Sequence, residues 1–122
     1  MAILVNNLFV LLIYTGAGIL VKALTGSRLA PLAPCGVFFV HMGKIAVEIC
    51  QYAGQEGLLP CLALVLPHGC LEIPGLILAC AAGSRLCKGK KISLHLTAAV
   101  ALIMAGSWVE TCVTPFPLTH WL

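Results

Sequence analysis

Apolar residues along this chain form four long blocks separated by short polar segments. Residues 1–21 contain no Asp, Glu, Lys, Arg or His, and residues 92–109 contain only His95 among those five types. A helix needs about 20 mostly apolar residues to cross a hydrocarbon core about 30 Å thick. The pattern therefore predicts four membrane-spanning helices. They cover roughly residues 3–24, 34–53, 58–84 and 92–114.

Two of these blocks allow a second interpretation. His41, Lys44 and Glu48 lie inside the second block, so this block also fits an amphipathic interfacial or re-entrant helix. The first block resembles a signal peptide in length. However, it lacks both a basic segment before it and a small-residue cleavage site followed by polar chain, so we expect it to be a retained span.

The composition excludes several classes of protein. Of the 122 residues, 61% are hydrophobic and 9% charged, and the formal net charge is +3. Soluble domains carry about a quarter charged residues, so this chain has too little polar surface for a water-facing globule. Its hydrophobicity excludes disorder, and the absence of a Lys/Arg-rich face excludes a nucleic-acid-binding module. A single transmembrane domain over residues 1–122 is the remaining class.

The seven cysteines are odd in number and contain no Cys-x-x-Cys pair. Most of them lie inside apolar blocks, where a disulfide framework of the kind found in small secreted domains is not expected. We interpret them as small polarisable packing residues.

Basic residues predict the orientation in the membrane. Six of the seven lie in the first and third connections, and the second connection has none. Because cytoplasmic loops are enriched in Lys and Arg, the first and third connections are predicted to be cytoplasmic, which places both termini and Glu56 outside. The six are Lys22, Arg28, Arg85, Lys88, Lys90 and Lys91.

Prolines recur every seven residues in the third span, at Pro60, Pro67 and Pro74. Each removes one backbone N–H and frees a carbonyl four residues earlier. In lipid a freed carbonyl needs a partner, so this face must meet protein or water. The pattern predicts a helix that is broken or kinked just before His68.

His68 and Glu72 are four residues apart, so they share one helix face near mid-membrane depth. The same stripe continues through Gly75, Ala79 and Gly83, small residues that favour close helix packing. Ionisable groups at this depth are costly and often functional.

Glu110 in the fourth span completes a possible polar cluster with His68 and Glu72. Two interpretations stay open. The three side chains fit a divalent metal such as zinc, although no established metal-binding spacing is present. Alternatively, His68 and Glu72 bind each other or the carbonyls freed by proline. Lys44, near the depth of Glu72, and Asn6 and Asn7, at the outer level of Glu110, are further candidate partners.

The segment Leu66-Pro-His-Gly-Cys-Leu-Glu-Ile-Pro74, followed by Ala79-Cys-Ala-Ala-Gly83, resembles the stage II sporulation protein M (SpoIIM) family. The motif residues are Pro67, His68, Gly69, Glu72 and Pro74. Asn7, the Gly16–Gly18 segment and Glu110 with Thr114 add weaker likeness, so that the resemblance covers nearly the whole chain. Members usually begin with one more span, which makes this chain a short form.

The resemblance implies a helical membrane component without established catalysis. The family's namesake anchors and localises cell-wall-remodelling proteins during engulfment of the forespore. We therefore expect an all-α, four-span bundle with both termini outside, in the cytoplasmic membrane of a bacterium or archaeon. The expected role is a non-enzymatic scaffold that contacts the lipid bilayer, forms a homodimer through its small-residue stripe and binds other membrane proteins. A small transporter or permease subunit and a metal-binding membrane protein are the alternatives.

Overall fold

The computed structural model describes residues 2–112, with side chains from residue 5 onward. Its four α-helices are α1 (Ala2–Thr25), α2 (Ala33–Glu56), α3 (Leu58–Cys87) and α4 (Ser93–Cys112), with a 3-10 turn at Ala30–Leu32. No strand is present in this part of the chain. All four helices are long and apolar enough to cross a membrane, which confirms the predicted all-α architecture and the number of candidate spans. The predicted end of the fourth span at residue 114 lies outside the described residues.

Glycines shape two of the connections. Gly57 alone separates α2 from α3, and its backbone φ is +93°. Gly89 follows α3 with a φ of +68°, and beside it the N–H of Lys90 returns to the carbonyl of Arg85 at 2.9 Å. These φ values are strained for residues with a Cβ, so glycine permits both short turns. Short turns place consecutive helices side by side in opposite directions.

Helix α3 is at the centre of the bundle and contacts α1, α2 and α4. Within the described residues, α2 and α4 do not pack against each other. The buried core therefore joins α1, α3 and α4, and α2 lies at one side. The core residues are Leu11 and Tyr14 on α1, Leu76, Ala79 and Cys80 on α3, and Ala99 and Ile103 on α4.

Small residues let α3 approach its neighbours closely. A Cβ added at Gly83 would collide with the carbonyl oxygen of Tyr14 on α1. A Cβ added at Gly75 would lie 2.9 Å from Ile103 Cγ1 on α4. Ala79, between the two glycines, is fully buried. The stripe is thus occupied by helices of the same chain, and the expectation that a second copy packs on it is wrong.

Helix α3 runs without interruption through Pro67 and Pro74, so the predicted break is not confirmed. One proline removes a single hydrogen bond from the ladder, whereas the surrounding turns keep theirs and the packing against three neighbours holds the helix together.

All seven cysteines are free thiols. Three of them are buried, and each of the three donates from Sγ to a carbonyl of another element; Cys61 reaches the carbonyl of Ile49 on α2 at 3.7 Å. Cys80 reaches the carbonyl of Pro34, and Cys87 reaches that of Gly18, both at 3.3 Å. These contacts agree with the interpretation of the cysteines as packing residues.

The basic connections meet at one end of the bundle. Lys22 Nζ, near the end of α1, donates to the carbonyl of Cys87 at the end of α3 at 3.0 Å. Ser84 Oγ donates to the carbonyl of Pro31 in the first connection at 2.6 Å. The first and third connections therefore share one end, as the charge pattern requires. That this end is cytoplasmic stays a prediction.

Candidate functional site

A polar cluster joins three helices inside the bundle. Asn7 on α1 uses its side-chain amide to donate two hydrogen bonds, one to Glu72 Oε1 on α3 at 2.7 Å and one to Ser107 Oγ on α4 at 3.0 Å. Glu72 is half-buried, and only 5% of Ser107 is exposed. We call Asn7, Glu72 and Ser107 the three-helix clamp. It supplies hydrogen-bond partners to polar groups that lipid cannot satisfy.

A glycine on α4 makes room for this clamp. Gly106 is buried, and a Cβ at this position would collide with Glu72 Cγ. The absent side chain lets the stem of Glu72 lie directly on α4, so that its carboxylate reaches the Asn7 amide. Gly106 therefore belongs to the geometry of the site although it contributes no polar atom.

The predicted metal ligands do not gather in one group. Glu110 lies close enough to Glu72 for the two carboxyl groups to interact electrostatically. Over residues 2–112, however, no three His, Cys, Asp or Glu side chains come together in a way that could hold a metal ion. The hydrogen-bond partner of Glu72 is the Asn7 amide. Zinc binding itself stays a prediction.

His68 faces a different part of the molecule. It lines a cavity of about 270 Å³ between α2 and α3, together with Glu48 and Tyr52 of α2. Its Nδ1 atom is buried without a hydrogen-bond partner among the described residues. The two residues of the predicted His68–Glu72 pair thus have different surroundings: Glu72 belongs to the clamp between α1 and α4, and His68 lies beside α2.

A second interhelical hydrogen bond joins Tyr14 on α1 to His41 on α2. Tyr14 is completely buried, and its hydroxyl lies 2.6 Å from His41 Nδ1. The two rings are also stacked, with centroids 5.9 Å apart. A hydroxyl buried in a membrane helix needs such a partner, and the histidine supplies it.

The sequence indicated some of these contacts and missed others. Asn7 and Glu72 were recognised as polar residues that might meet. Ser107 and Tyr14 were not, because a single serine or tyrosine in an apolar helix is common and carries little signal. The sequence carries only an indirect signal for these two residues, because neither side chain can leave its polar atom in hydrocarbon without a hydrogen-bond partner. That argument predicts that a partner exists but does not identify it.

In chemical terms, the clamp consists of one amide that donates to a carboxylate and to a hydroxyl. The Asn7 amide has both of its donor hydrogens engaged, one by Glu72 and one by Ser107. The arrangement fixes three helices to one another. Its evident effect is to hold the bundle in one geometry.

These features define a small multi-span helical membrane protein whose polar residues tie its helices together. The family model described as Stage II sporulation protein M matches residues 1–115 of the chain. The chain therefore belongs to the SpoIIM family of sporulation-related membrane proteins. Among curated proteins and among solved structures, nothing matches.

Proposed function

We propose that this protein is a non-catalytic membrane scaffold that assembles or localises partner proteins in the cytoplasmic membrane. In sporulating relatives the partners would be the cell-wall-remodelling proteins of engulfment. The observation that carries the proposal is the three-helix clamp, in which the Asn7 amide donates to both Glu72 and Ser107. A scaffold needs a fixed shape, and a bundle tied by internal hydrogen bonds supplies one.

The described part of the chain has little surface outside the membrane on which to bind a partner. Its described connections are short, and the one between α2 and α3 is a single residue. We therefore propose that partners meet it within the bilayer or at the basic end, where Arg85 and Lys88–Lys91 lie close to the first connection. We further propose that the scaffold is a homodimer.

Deletion of the gene in the source organism tests the scaffold. Fluorescently labelled cell-wall-remodelling enzymes should lose their normal position in the deletion strain and regain it when the parent protein is restored. A variant with an intact clamp, Asn6→Ala, should restore it equally well, because Asn6 is exposed. Normal positions of these enzymes in the deletion strain would contradict the scaffold.

The cavity beside His68 favours a second candidate, a small transporter or permease subunit. The cavity has a volume of about 270 Å³, and the Nδ1 atom of His68 beside it has no hydrogen-bond partner among the described residues. A substrate path would use such features. Uptake by protein reconstituted in vesicles, compared with the His68→Leu variant, tests this candidate. Transport that depends on His68 would replace the scaffold as the conclusion.

A metal-binding role for His68, Glu72 and Glu110 is the remaining proposal. Its support is the electrostatic interaction between Glu72 and Glu110. Elemental analysis of the purified protein tests it directly. Stoichiometric zinc that is lost in Glu72→Gln and Glu110→Gln would support the site, and metal content below one ion per ten chains would reject it.

A further inference from the structure

An apolar groove runs between α1 and the first turns of α2, and the described chain leaves it open. Its volume is about 460 Å³, and every residue that lines it is apolar or glycine. Gly16 keeps the groove open, because a Cβ added there has no atom of the described chain within 4 Å. We call this feature the α1–α2 groove, and its walls include Leu12, Gly16, Leu20 and Val21 of α1 and Ala33 and Val37 of α2.

The length and position of the α1–α2 groove match one leaflet of a bilayer. Nine residue steps separate Leu12 from Val21, which is about 14 Å at 1.5 Å per residue. One leaflet fills half of a hydrocarbon core about 30 Å thick, or about 15 Å. Val21 lies in the last turns of α1, and Ala33 is the first residue of α2. The groove therefore starts at the basic end of the bundle and reaches about the middle of the span, as an acyl chain of that leaflet does.

Charged side chains at the basic end, where the groove starts, are all positive. Arg28 lies in the first connection, between the two helices that form the groove. Its side chain is exposed and has no hydrogen-bond or ion-pair partner among the described residues. A guanidinium binds a phosphate group through two parallel hydrogen bonds, so Arg28 is available for a phosphate at the membrane surface. The acidic side chains of the chain all lie outside the first and third connections: Glu48, Glu56, Glu72 and Glu110.

We propose that the α1–α2 groove binds an anionic phospholipid, with one acyl chain in the groove and the headgroup phosphate at Arg28. The acyl chain needs apolar surface in the leaflet and the headgroup needs positive charge at its edge, and the protein supplies both in that order. A zwitterionic lipid also fits the groove, but it carries no net negative charge. The difference in affinity between the two lipids therefore measures the contribution of Arg28. The proposal holds whichever partner proteins the scaffold binds.

Lipid titration of the full-length protein in detergent tests the proposal. Phosphatidylglycerol and phosphatidylcholine with identical acyl chains are added separately, and native mass spectrometry counts the lipid molecules bound to each chain. The parent should bind its first phosphatidylglycerol about fivefold or more tightly than phosphatidylcholine, which is the contribution of one basic side chain near an anionic headgroup. Arg28→Gln should lose this preference and bind the two lipids with nearly equal affinity.

Two further variants separate the groove from general attraction to the basic end. Lys90→Gln removes the same charge from an exposed side chain of the third connection. It should weaken phosphatidylglycerol binding by less than about twofold, because salt screens a charge that does not touch the headgroup. Gly16→Leu fills the groove and should weaken both lipids about equally, because it blocks the acyl chain and leaves Arg28 in place. Thermal unfolding shows whether Gly16→Leu has kept its fold, and the comparison of Arg28→Gln with Lys90→Gln changes only exposed side chains.

The outcomes of these titrations decide the proposal. A preference for phosphatidylglycerol that is lost in Arg28→Gln and kept in Lys90→Gln, with weaker binding of both lipids by Gly16→Leu, is the predicted result. Equal affinity of the parent for the two lipids would overturn the proposal. Equal losses in Arg28→Gln and Lys90→Gln would also overturn it, because they would show that the whole basic end attracts the headgroup. Unchanged lipid binding by a folded Gly16→Leu variant would exclude the groove as the site.

Discussion

Asn7 forms both hydrogen bonds of the three-helix clamp, and its neighbour Asn6 forms none that the structure describes. Replacing Asn7 with Ala should destabilise the protein, because it leaves Glu72 and Ser107 without their donor. We expect a loss of about 1–2 kcal/mol in the free energy of unfolding. Unfolding in mixed micelles measures it, and Asn6→Ala is the matched control with little expected effect. Equal stability of the two variants would contradict the clamp.

Glu72 accepts the hydrogen bond from Asn7 through a carboxylate oxygen, and an amide oxygen can accept it as well. Glu72→Gln should therefore stay within about 0.5 kcal/mol of the parent protein in the same unfolding measurement. Glu72→Leu cannot accept and should lose about as much as Asn7→Ala. A Glu72→Gln variant as unstable as Glu72→Leu would mean that the charge itself is needed, which would favour a bound cation.

For individual residues, the sequence predicts depth in the membrane better than it predicts the direction in which a side chain faces. The positions of Asn7 and Glu72 along their helices could be estimated from 1.5 Å per residue, and that estimate placed Asn7 nearer the outer interface and Glu72 near the midplane. Rotation about the helix axis could not be estimated, because the helices are apolar on nearly every side and give no amphipathic signal. His68 was grouped with Glu72 because the two are four residues apart, whereas the structure places His68 beside α2.

Gly83 and Gly106 lie where two helices pack closely against each other, and substitution of Gly83 tests this packing. Gly83→Ala should cost about 1–3 kcal/mol, because the added Cβ would collide with the Tyr14 carbonyl, which is backbone and cannot move aside cheaply. Gly16 on α1 is the control, since no atom of the described chain lies within 4 Å of its added Cβ. Gly16→Ala should be neutral or stabilising by up to about 1 kcal/mol. Equal effects of the two changes would contradict the close approach of α1 and α3.

The small-residue stripe also shows what sequence can and cannot predict about elements. The spacing of Gly75, Ala79 and Gly83 indicates a close helix contact, and the structure places one there. The sequence does not say whether that contact lies within one chain or between two, because the packing chemistry is the same. The prolines are the reverse case: the pattern predicted a break in α3, and the packing of three neighbours around it keeps the helix continuous.

The basic first and third connections lie at one end of the described bundle, and their position determines the predicted orientation of the protein in the membrane. Hydrophobic length was sufficient to predict four helices, because a membrane imposes nearly the same length on every span. The order of contacts around α3 could not be predicted, since many arrangements of four apolar helices satisfy the same lengths. The contact between Lys22 and Cys87 resolves part of this by bringing the first and third connections together.

A platform for membrane partners requires that all four helices cross the membrane, and we propose that they do so with the basic end in the cytoplasm. Single cysteines at Ser27, Gln55 and Lys90, each in a cysteine-free background, test this by labelling of intact cells with an impermeant thiol reagent. The account predicts labelling of Gln55→Cys from outside, and of Ser27→Cys and Lys90→Cys only after the membrane is permeabilised. Labelling of Ser27→Cys and Lys90→Cys in intact cells, or equal accessibility of Ser27→Cys and Gln55→Cys, would contradict it.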